Sequence, residues 1–308
     1  MRRKKVCFVG YGSTEYSRKS EASVLWYYAE AIRDALRQTG LHKKEIRGLS
    51  ITTQVSPDYS PHVAEQLGLE VDWVLNGDYG GGGGVMSVRR AADAIECGHI
   101  DVAVLVGGNS FDRSNPIQRQ LEYQRGNFVD VYGYGGPNSL MALIQRLHME
   151  QYGTTLEQIG KIAMAQRENA LNNPQALFRE PMSMQDYLNS RMISDPIRLF
   201  DCVMPCSGAE CVVLASEERA KKITDKPVYL VTDAEISHYQ VANMLPDKTT
   251  FGMKVVGERI FSEVKHKDID LLEIYDDYPI AVMIQIEDLG FCKKGDGGKF
   301  VADGNLIS

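Results

Sequence analysis

Short apolar runs and amphipathic stretches alternate along the first third of this chain, stop, and begin again in its last quarter; few folds accept that order. Val6-Cys7-Phe8-Val9-Gly10 reads as a buried strand, and Glu21 to Thr39 carries Leu25, Tyr28, Ile32 and Leu36 at helical spacing before Gly40 ends it. A strand at Gly48 to Thr53 follows, then a short helix near His62 to Leu67, a strand at Val71 to Leu75, a glycine run, a helix Val85 to Cys97 and the strand Asp101 to Val106. Strand and helix taken in turn predict an α/β chain whose parallel sheet carries helices on both faces.

From Ser110 to about Ser207 the rhythm breaks into helical segments, Ser139 to Gln151 and Leu156 to Leu171 among them, with loops rich in Asn, Pro and Gly. This middle stretch reads as an insertion covering a site. Ala209 to Ala215 returns to strand character, and from Lys226 the order repeats: strand Val228 to Thr232, helix Phe251 to Val264, strand Ile269 to Tyr275, helix Pro279 to Leu289. The expected organisation is a first half over residues 1–225, with an insertion at about 110–207, and the start of a second half over 226–308. The second half holds fewer strand-helix steps than the first, so it reads as incomplete. A parallel sheet halted there leaves an open edge, and the expectation is that more polypeptide, or another chain, covers it.

Charge and cysteine usage narrow the function. Lys+Arg 34 against Asp+Glu 41 gives a net charge of −7, which offers no general basic field for nucleic acid. Nowhere do about 18 apolar residues run together, and the basic start leads into an apolar stretch too short for a signal-peptide core, so a cytoplasmic protein without a membrane span is expected. Cys7, Cys97, Cys202, Cys206, Cys211 and Cys292 follow no usual zinc-ligand spacing and the histidines lie apart from them, so no metal is expected and the thiols read as reduced.

Asn76-Gly77-Asp78-Tyr79 and the five glycines Gly80 to Gly84 stand between a strand and a helix. Such a run permits close backbone approach, and the free N–H groups of the following helix favour developing negative charge. It therefore reads as an anion or oxyanion cradle; the structural alternative is that the glycines only let two elements touch. No Gly-Lys-Ser/Thr follows, which argues against a nucleotide P-loop. Glu273-Ile274-Tyr275-Asp276-Asp277-Tyr278 lies where a predicted strand meets a helix, the end at which ligands sit in doubly wound sheets. Tyr275 and Asp276 are thus catalytic candidates, since a phenol with a free pKa of about 10 becomes a base when cations or hydrogen bonds lower it. The alternative is that the tyrosines pack and the aspartates cap the next helix. Cys202 and Cys206, in the turn Asp201 to Glu210, lack an evident positive neighbour and read as packing thiols. His238 is a candidate to face a ligand, a solvated loop being the alternative.

Taken in order over essentially the whole chain, these segments resemble the thiolase superfamily, in particular the sterol-carrier-protein-type thiolases and the thiolase-like aldolases that shorten steroid side chains. The resemblance rests on the glycine loop with Ala91, Ile95 and Gly98, the turn Gly107-Gly108-Asn109-Ser110, Tyr152-Gly153-Thr154-Thr155, and Asn169 to Pro174. It continues through the Asp201 to Ala209 turn and Tyr275 to Tyr278, followed by Glu287-Asp288-Leu289-Gly290. It implies a thiolase-like fold of two pseudo-repeated βαβαβ halves. In thiolases the helix after the third strand begins at a nucleophilic cysteine, and counting back from Ile95 and Gly98 places that position at Gly81. Where the sterol-carrier-type enzymes have His-Asp-Cys-Phe, this chain has Tyr275-Asp276-Asp277-Tyr278, and the family's later histidine and second cysteine would fall beyond Ser308.

A covalent acyl-enzyme needs a nucleophile that glycine lacks. The resemblance therefore implies the aldolase chemistry: retro-aldol cleavage of a bulky, steroid-like β-hydroxyacyl thioester of coenzyme A, with Tyr275 as base and Gly80, Gly81 and Gly82 shaping the oxyanion pocket. An acyltransferase using another cysteine, or a catalytically silent acyl-CoA-binding subunit, are the alternatives. The resemblance also implies a homodimer and a zinc-ribbon and OB-fold accessory protein as partners.

Overall fold

A computed structural model of the chain describes residues 5–52, 59–77, 80–111, 132–133, 136–237 and 247–306. Two compact units divide it, Met1–Glu122 with Pro205–Asp233, and Tyr123–Met204 with Ala234–Ser308.

The first unit is built on one six-stranded sheet. Its elements are β1 (Val6–Ser13), α1 (Val24–Thr39), β2 (Gly48–Thr52), α2 (Ser60–Leu67), β3 (Trp73–Asn76), α3 (Gly83–Glu96) and β4 (Val102–Asn109). After the middle stretch come β7 (Gly208–Ser216), a short α7 (Glu217–Ala220) and β8 (Val228–Tyr229). Strand order is β3-β2-β4-β7-β1-β8. The sheet is mixed, which corrects the all-parallel expectation: β2 runs parallel to β3 and β4, whereas β7 runs antiparallel to β4 and β1. The cause is that β7 enters from the middle stretch rather than from a crossover helix, which alone would bring a strand back in the same direction.

Alternation along the strands divides two cores. Val102, Val104 and Val106 of β4 face α1 and α2, meeting Tyr28, Ala31, Ile32 and Val63. Ala103 and Leu105, with Leu214 of β7, face α3 and its Ala91, Ala94 and Ile95. Helix α1 ends on Gly40 at φ 68°, as expected, but begins later than Glu21, at Val24, where the Ser23 hydroxyl accepts from the Trp26 N–H.

The second unit is mostly helical: α4 (Pro137–Tyr152), α5 (Leu156–Leu171), α6 (Met184–Asn189), the pair β5 (Met192–Ser194) and β6 (Ile197–Arg198), α8 (Met253–Ile260), α9 (Pro279–Asp288) and α10 (Gly297–Ala302). All ten residues of α9 are buried, so the other helices of the unit wrap it on every side. The strand expected at Ile269 to Tyr275 is not a strand; this stretch pairs with no ladder among the described residues, and Leu271 and Tyr275 are exposed. Its apolar and β-branched residues satisfy local propensity, but a strand needs a hydrogen-bonding neighbour to persist. Among the described residues no helix is long and apolar enough to cross a membrane.

Where α9 ends, its polar residues are held by a buried network. The Glu287 carboxylate meets His148 Nε2 at 3.2 Å and Lys294 Nζ at 3.1 Å, and its other oxygen accepts from the Gly297 N–H at 2.9 Å. His148 Nδ1 in turn lies 2.8 Å from the Thr154 hydroxyl. Burial works to raise the Glu287 carboxyl, but His148, Lys294 and the Gly297 N–H outweigh it and hold the group below its usual range. The carboxylate therefore stabilises the fold fully above the ordinary glutamate range, and that contribution is lost as pH falls through its lower folded value. Replacing Glu287 by Ala leaves His148 and Lys294 facing an empty site. A loss of about 3–5 kcal/mol is expected in urea unfolding at neutral pH, shrinking toward acid pH where the native carboxylate is itself protonated. A pH-independent loss would contradict this account.

Candidate active site

Beyond β3 the chain turns at Gly80, whose φ of +64° favours glycine, and the Gly83 N–H donates to the Gly80 carbonyl at 3.0 Å as α3 begins. Gly82 caps the helix with no side-chain hydrogen bond, and the first turn carries no acidic residue. Gly80, Gly81, Gly82 and Gly84 are exposed. The helix thus presents unscreened N–H groups and its positive dipole end beside bare backbone, a setting that stabilises an oxyanion.

Two glycines of the run have a different task. A Cβ at Gly83 would lie 2.2 Å from the Gly77 carbonyl oxygen, and one at Gly77 would lie 2.2 Å from the Ser87 hydroxyl. Ser87 is locked beneath them, accepting from the Ser50 hydroxyl at 3.0 Å and lying 3.3 Å from the Thr52 hydroxyl. Both readings of the glycine run therefore apply, each to its own positions: Gly77 and Gly83 allow contact, and Gly80 to Gly82 leave the helix end open.

The carboxyl ends of β1, β2 and β4 lie along one edge of this sheet, together with the start of β7. In register, Thr52 of β2 faces Gly107 of β4, Gly107 faces Glu210 of β7, and Glu210 faces Ser13 of β1. Glu210 accepts a hydrogen bond from the Tyr16 hydroxyl at 2.5 Å. Partial desolvation, with Asp34 adding to it, pushes the Glu210 carboxyl up, and burial together with Glu210 pushes up the Tyr16 phenol. The sequence reading passes over this pair. Its signal is a lone carboxylate inside the strand Gly-Ala-Glu-Cys-Val-Val-Leu-Ala-Ser, where every other residue is small, apolar or neutral.

Tyr275 and Asp276 belong to the second unit, in the stretch before α9. Tyr275 is 51% exposed, and its phenol is shifted upward by burial, Asp277 and Asp276. The sequence reading looks for cations that would lower this group; carboxylates stand there instead, so Tyr275 is a phenol and not a phenolate at neutral pH. Asp276 accepts from Gln166 Nε2 at 3.1 Å, and Asp277, pushed up to about 6 by burial with Asp276 contributing, has an Oδ1 without a hydrogen-bond partner. Tyr278 is buried at the start of α9 and donates to Asn138 Oδ1 at 2.5 Å, a packing role. His238 lies outside the described residues.

The thiols offer no nucleophile of evident reactivity. Burial and Asp201 push Cys202 up to about 11, burial raises Cys206 and Cys211, and burial with nearby acids pushes Cys292 up to about 11. Asp201 itself is buried, accepting from the Tyr187 hydroxyl at 2.8 Å and the Arg198 N–H at 2.7 Å, which fixes the turn. Among the described residues no three His, Cys, Asp or Glu side chains gather as a metal site.

Comparison with known proteins finds thiolase-like relatives. Residues 234–308 match the family model "Thiolase C-terminal domain-like". The chain is 30% identical to a steroid side-chain-cleaving aldolase of Thermomonospora curvata, over 96% of this chain and 80% of that protein. It is 31% identical to a 17-hydroxy-3-oxo-4-pregnene-20-carboxyl-CoA lyase of Mycobacterium tuberculosis, over 97% and 82%. Among solved structures it is similar to the "Ltp2-ChsH2(DUF35) aldolase", with a TM-score of 0.88, 29% identity and coverage of 98% of this chain and 81% of that one.

The glycine loop supplies a sharp contrast. Gly83→Ala must push a Cβ against a backbone carbonyl and should cost about 1–3 kcal/mol in urea unfolding. Gly84→Ala, one residue on, meets nothing within 4 Å and should be neutral or stabilising by up to about 1 kcal/mol. Equal losses at both positions would mean that the helix start does not rest on Gly77.

Proposed function

The chain belongs to the thiolase superfamily, in its steroid side-chain-cleaving aldolase branch, and from that membership we propose that it is a lyase cleaving a carbon–carbon bond in a bulky, steroid-like β-hydroxyacyl thioester of coenzyme A. The observation that carries the reading is the bare backbone at Gly81, at the approach to α3, where an acyl-transferring relative needs a cysteine side chain. The raised thiols of Cys202, Cys206, Cys211 and Cys292 weigh against a substitute nucleophile and hence against the acyltransferase alternative.

In this reading the β-hydroxyl gives up its proton, the bond between the α- and β-carbons breaks, and the β-carbon becomes a ketone. The electron pair passes to the thioester as an enolate, whose oxygen takes hydrogen bonds from the N–H groups of the glycine cradle at Gly80, Gly81 and Gly82. Tyr275 receives the hydroxyl proton while passing its own on, with Asp276 as acceptor, which suits a phenol that carboxylates keep protonated. The α-carbon then takes up a proton and leaves as a shortened acyl-CoA. His238 is assigned to the substrate pocket. A zinc-ribbon and OB-fold accessory protein is the partner proposed, supported by the Ltp2-ChsH2(DUF35) pairing of the similar structure, with a second copy of this chain as a further partner. The setting proposed is the cytoplasm.

Assays of the full chain with such thioesters should release ketone. Tyr275→Phe should lower kcat by about 100-fold or more with little change in KM. Iodoacetamide should leave the native rate intact, because no thiol takes part. An acyl group found on sulfur by mass spectrometry during turnover would overturn the reading.

A further inference from the structure

Retro-aldol cleavage ends in an enolate carbon that must be protonated, and no residue has so far been given that task. Four observations, all within the first unit, converge on one group. First, Glu210 is the only charged residue of β7. Second, the strand register puts it on the face that carries α3. Leu105 and Leu214 pack against α3 on that face; Leu214 lies four residues from Glu210 in β7, and Gly107, which faces Glu210, lies two residues beyond Leu105 in β4. Third, Gly107 separates Glu210 from Thr52, the residue beside Ser87 of α3. A Cβ at Gly107 would touch Thr52 atoms at 3.4 and 3.5 Å, an ordinary contact, and glycine leaves that place between Glu210 and Thr52 without a side chain. Adjacent strands stand about 4.8 Å apart, so the Glu210 backbone lies about two strand spacings from that of Thr52, on the same face of the sheet. Fourth, the Tyr16 hydroxyl orients the carboxyl through the 2.5 Å hydrogen bond, and its ring lies against Gly208, where a Cβ would meet it at 2.6 Å.

Resting on the lyase reading above, we propose that Glu210 is the proton donor to the α-carbon of the enolate and that Tyr16 is its positioning residue. When the carbon–carbon bond breaks, the enolate's electron pair forms a C–H bond with the proton of the Glu210 carboxyl, leaving the carboxylate. Solvent returns a proton to it before the next turnover, while the proton from the β-hydroxyl leaves separately through Tyr275. Partial desolvation and Asp34 of α1, opposed by the Tyr16 hydrogen bond, shift the Glu210 carboxyl upward, the direction that favours a proton donor.

The step runs backwards as a measurable partial reaction. Glu210 carboxylate removes an α-proton from a saturated acyl-CoA, exchanges it with solvent and returns deuterium in D2O. The full chain is incubated with a short saturated acyl-CoA in D2O and α-deuteration is followed by NMR. The native chain should exchange. Glu210→Gln should slow exchange by about 100-fold with acyl-CoA binding by calorimetry unchanged, and Glu210→Asp should restore part of the rate. Tyr16→Phe should lower kcat for exchange by about tenfold at unchanged KM. Should Glu210→Gln lower the folded yield, Tyr16→Phe, which removes a single hydroxyl, decides the matter. Native-rate exchange in Glu210→Gln and Tyr16→Phe, with ketone release continuing, overturns the Glu210 assignment alone. A native chain that neither exchanges nor cleaves overturns the lyase reading and this assignment together.

Discussion

The candidate site depends on a contact that exists only because two side chains are missing. Gly83 and Gly77 approach so closely that a single Cβ at either would collide with a backbone carbonyl or with the Ser87 hydroxyl. That approach seats the first turn of α3 on β2, where Ser50, Thr52 and Ser87 share buried hydrogen bonds. The helix end is therefore fixed by the packed centre of the sheet while its N–H groups remain uncovered. Oxyanion stabilisation requires that combination, since donors that had to reorganise during the reaction would lose much of their effect.

Within each unit the ionisable groups suit the holding of protons better than the forming of bonds to sulfur. Burial lifts the thiols that are perturbed, which suppresses the thiolate. Carboxylates, by contrast, stand next to phenols in both units, Glu210 with Tyr16 and Asp276 and Asp277 with Tyr275. A carboxylate near a tyrosine raises the phenol, so each of these tyrosines keeps its proton at neutral pH, and Tyr16 also donates it in a hydrogen bond to Glu210.

Much of this is legible in the residues alone. The end of α1 follows from Gly40 and the strand β4 from an unbroken apolar run. What escapes reading depends on partners remote in sequence. Leu271 to Tyr275 has the composition of a strand, yet pairing is decided by a neighbour that local sequence does not contain. The Tyr275 phenol is raised first by its own partial burial, which local sequence does not reveal, with the adjacent Asp277 and Asp276 adding to it. Glu210 meets Tyr16 across 194 residues, and His148 meets Glu287 across 139, separations no local pattern encodes.

Helix α9 illustrates how such remote partners shape the life of the chain. Its ten buried residues form the hub of the second unit, while α4 and α5, which close around it, are more than a hundred positions nearer the N-terminus. During synthesis those two helices emerge with their apolar faces bare and stay so until the hub leaves the ribosome. Through that interval they depend on transient cover, from each other or from a chaperone, so the pace of translation between Leu171 and Pro279 bears directly on how much chain reaches the native state.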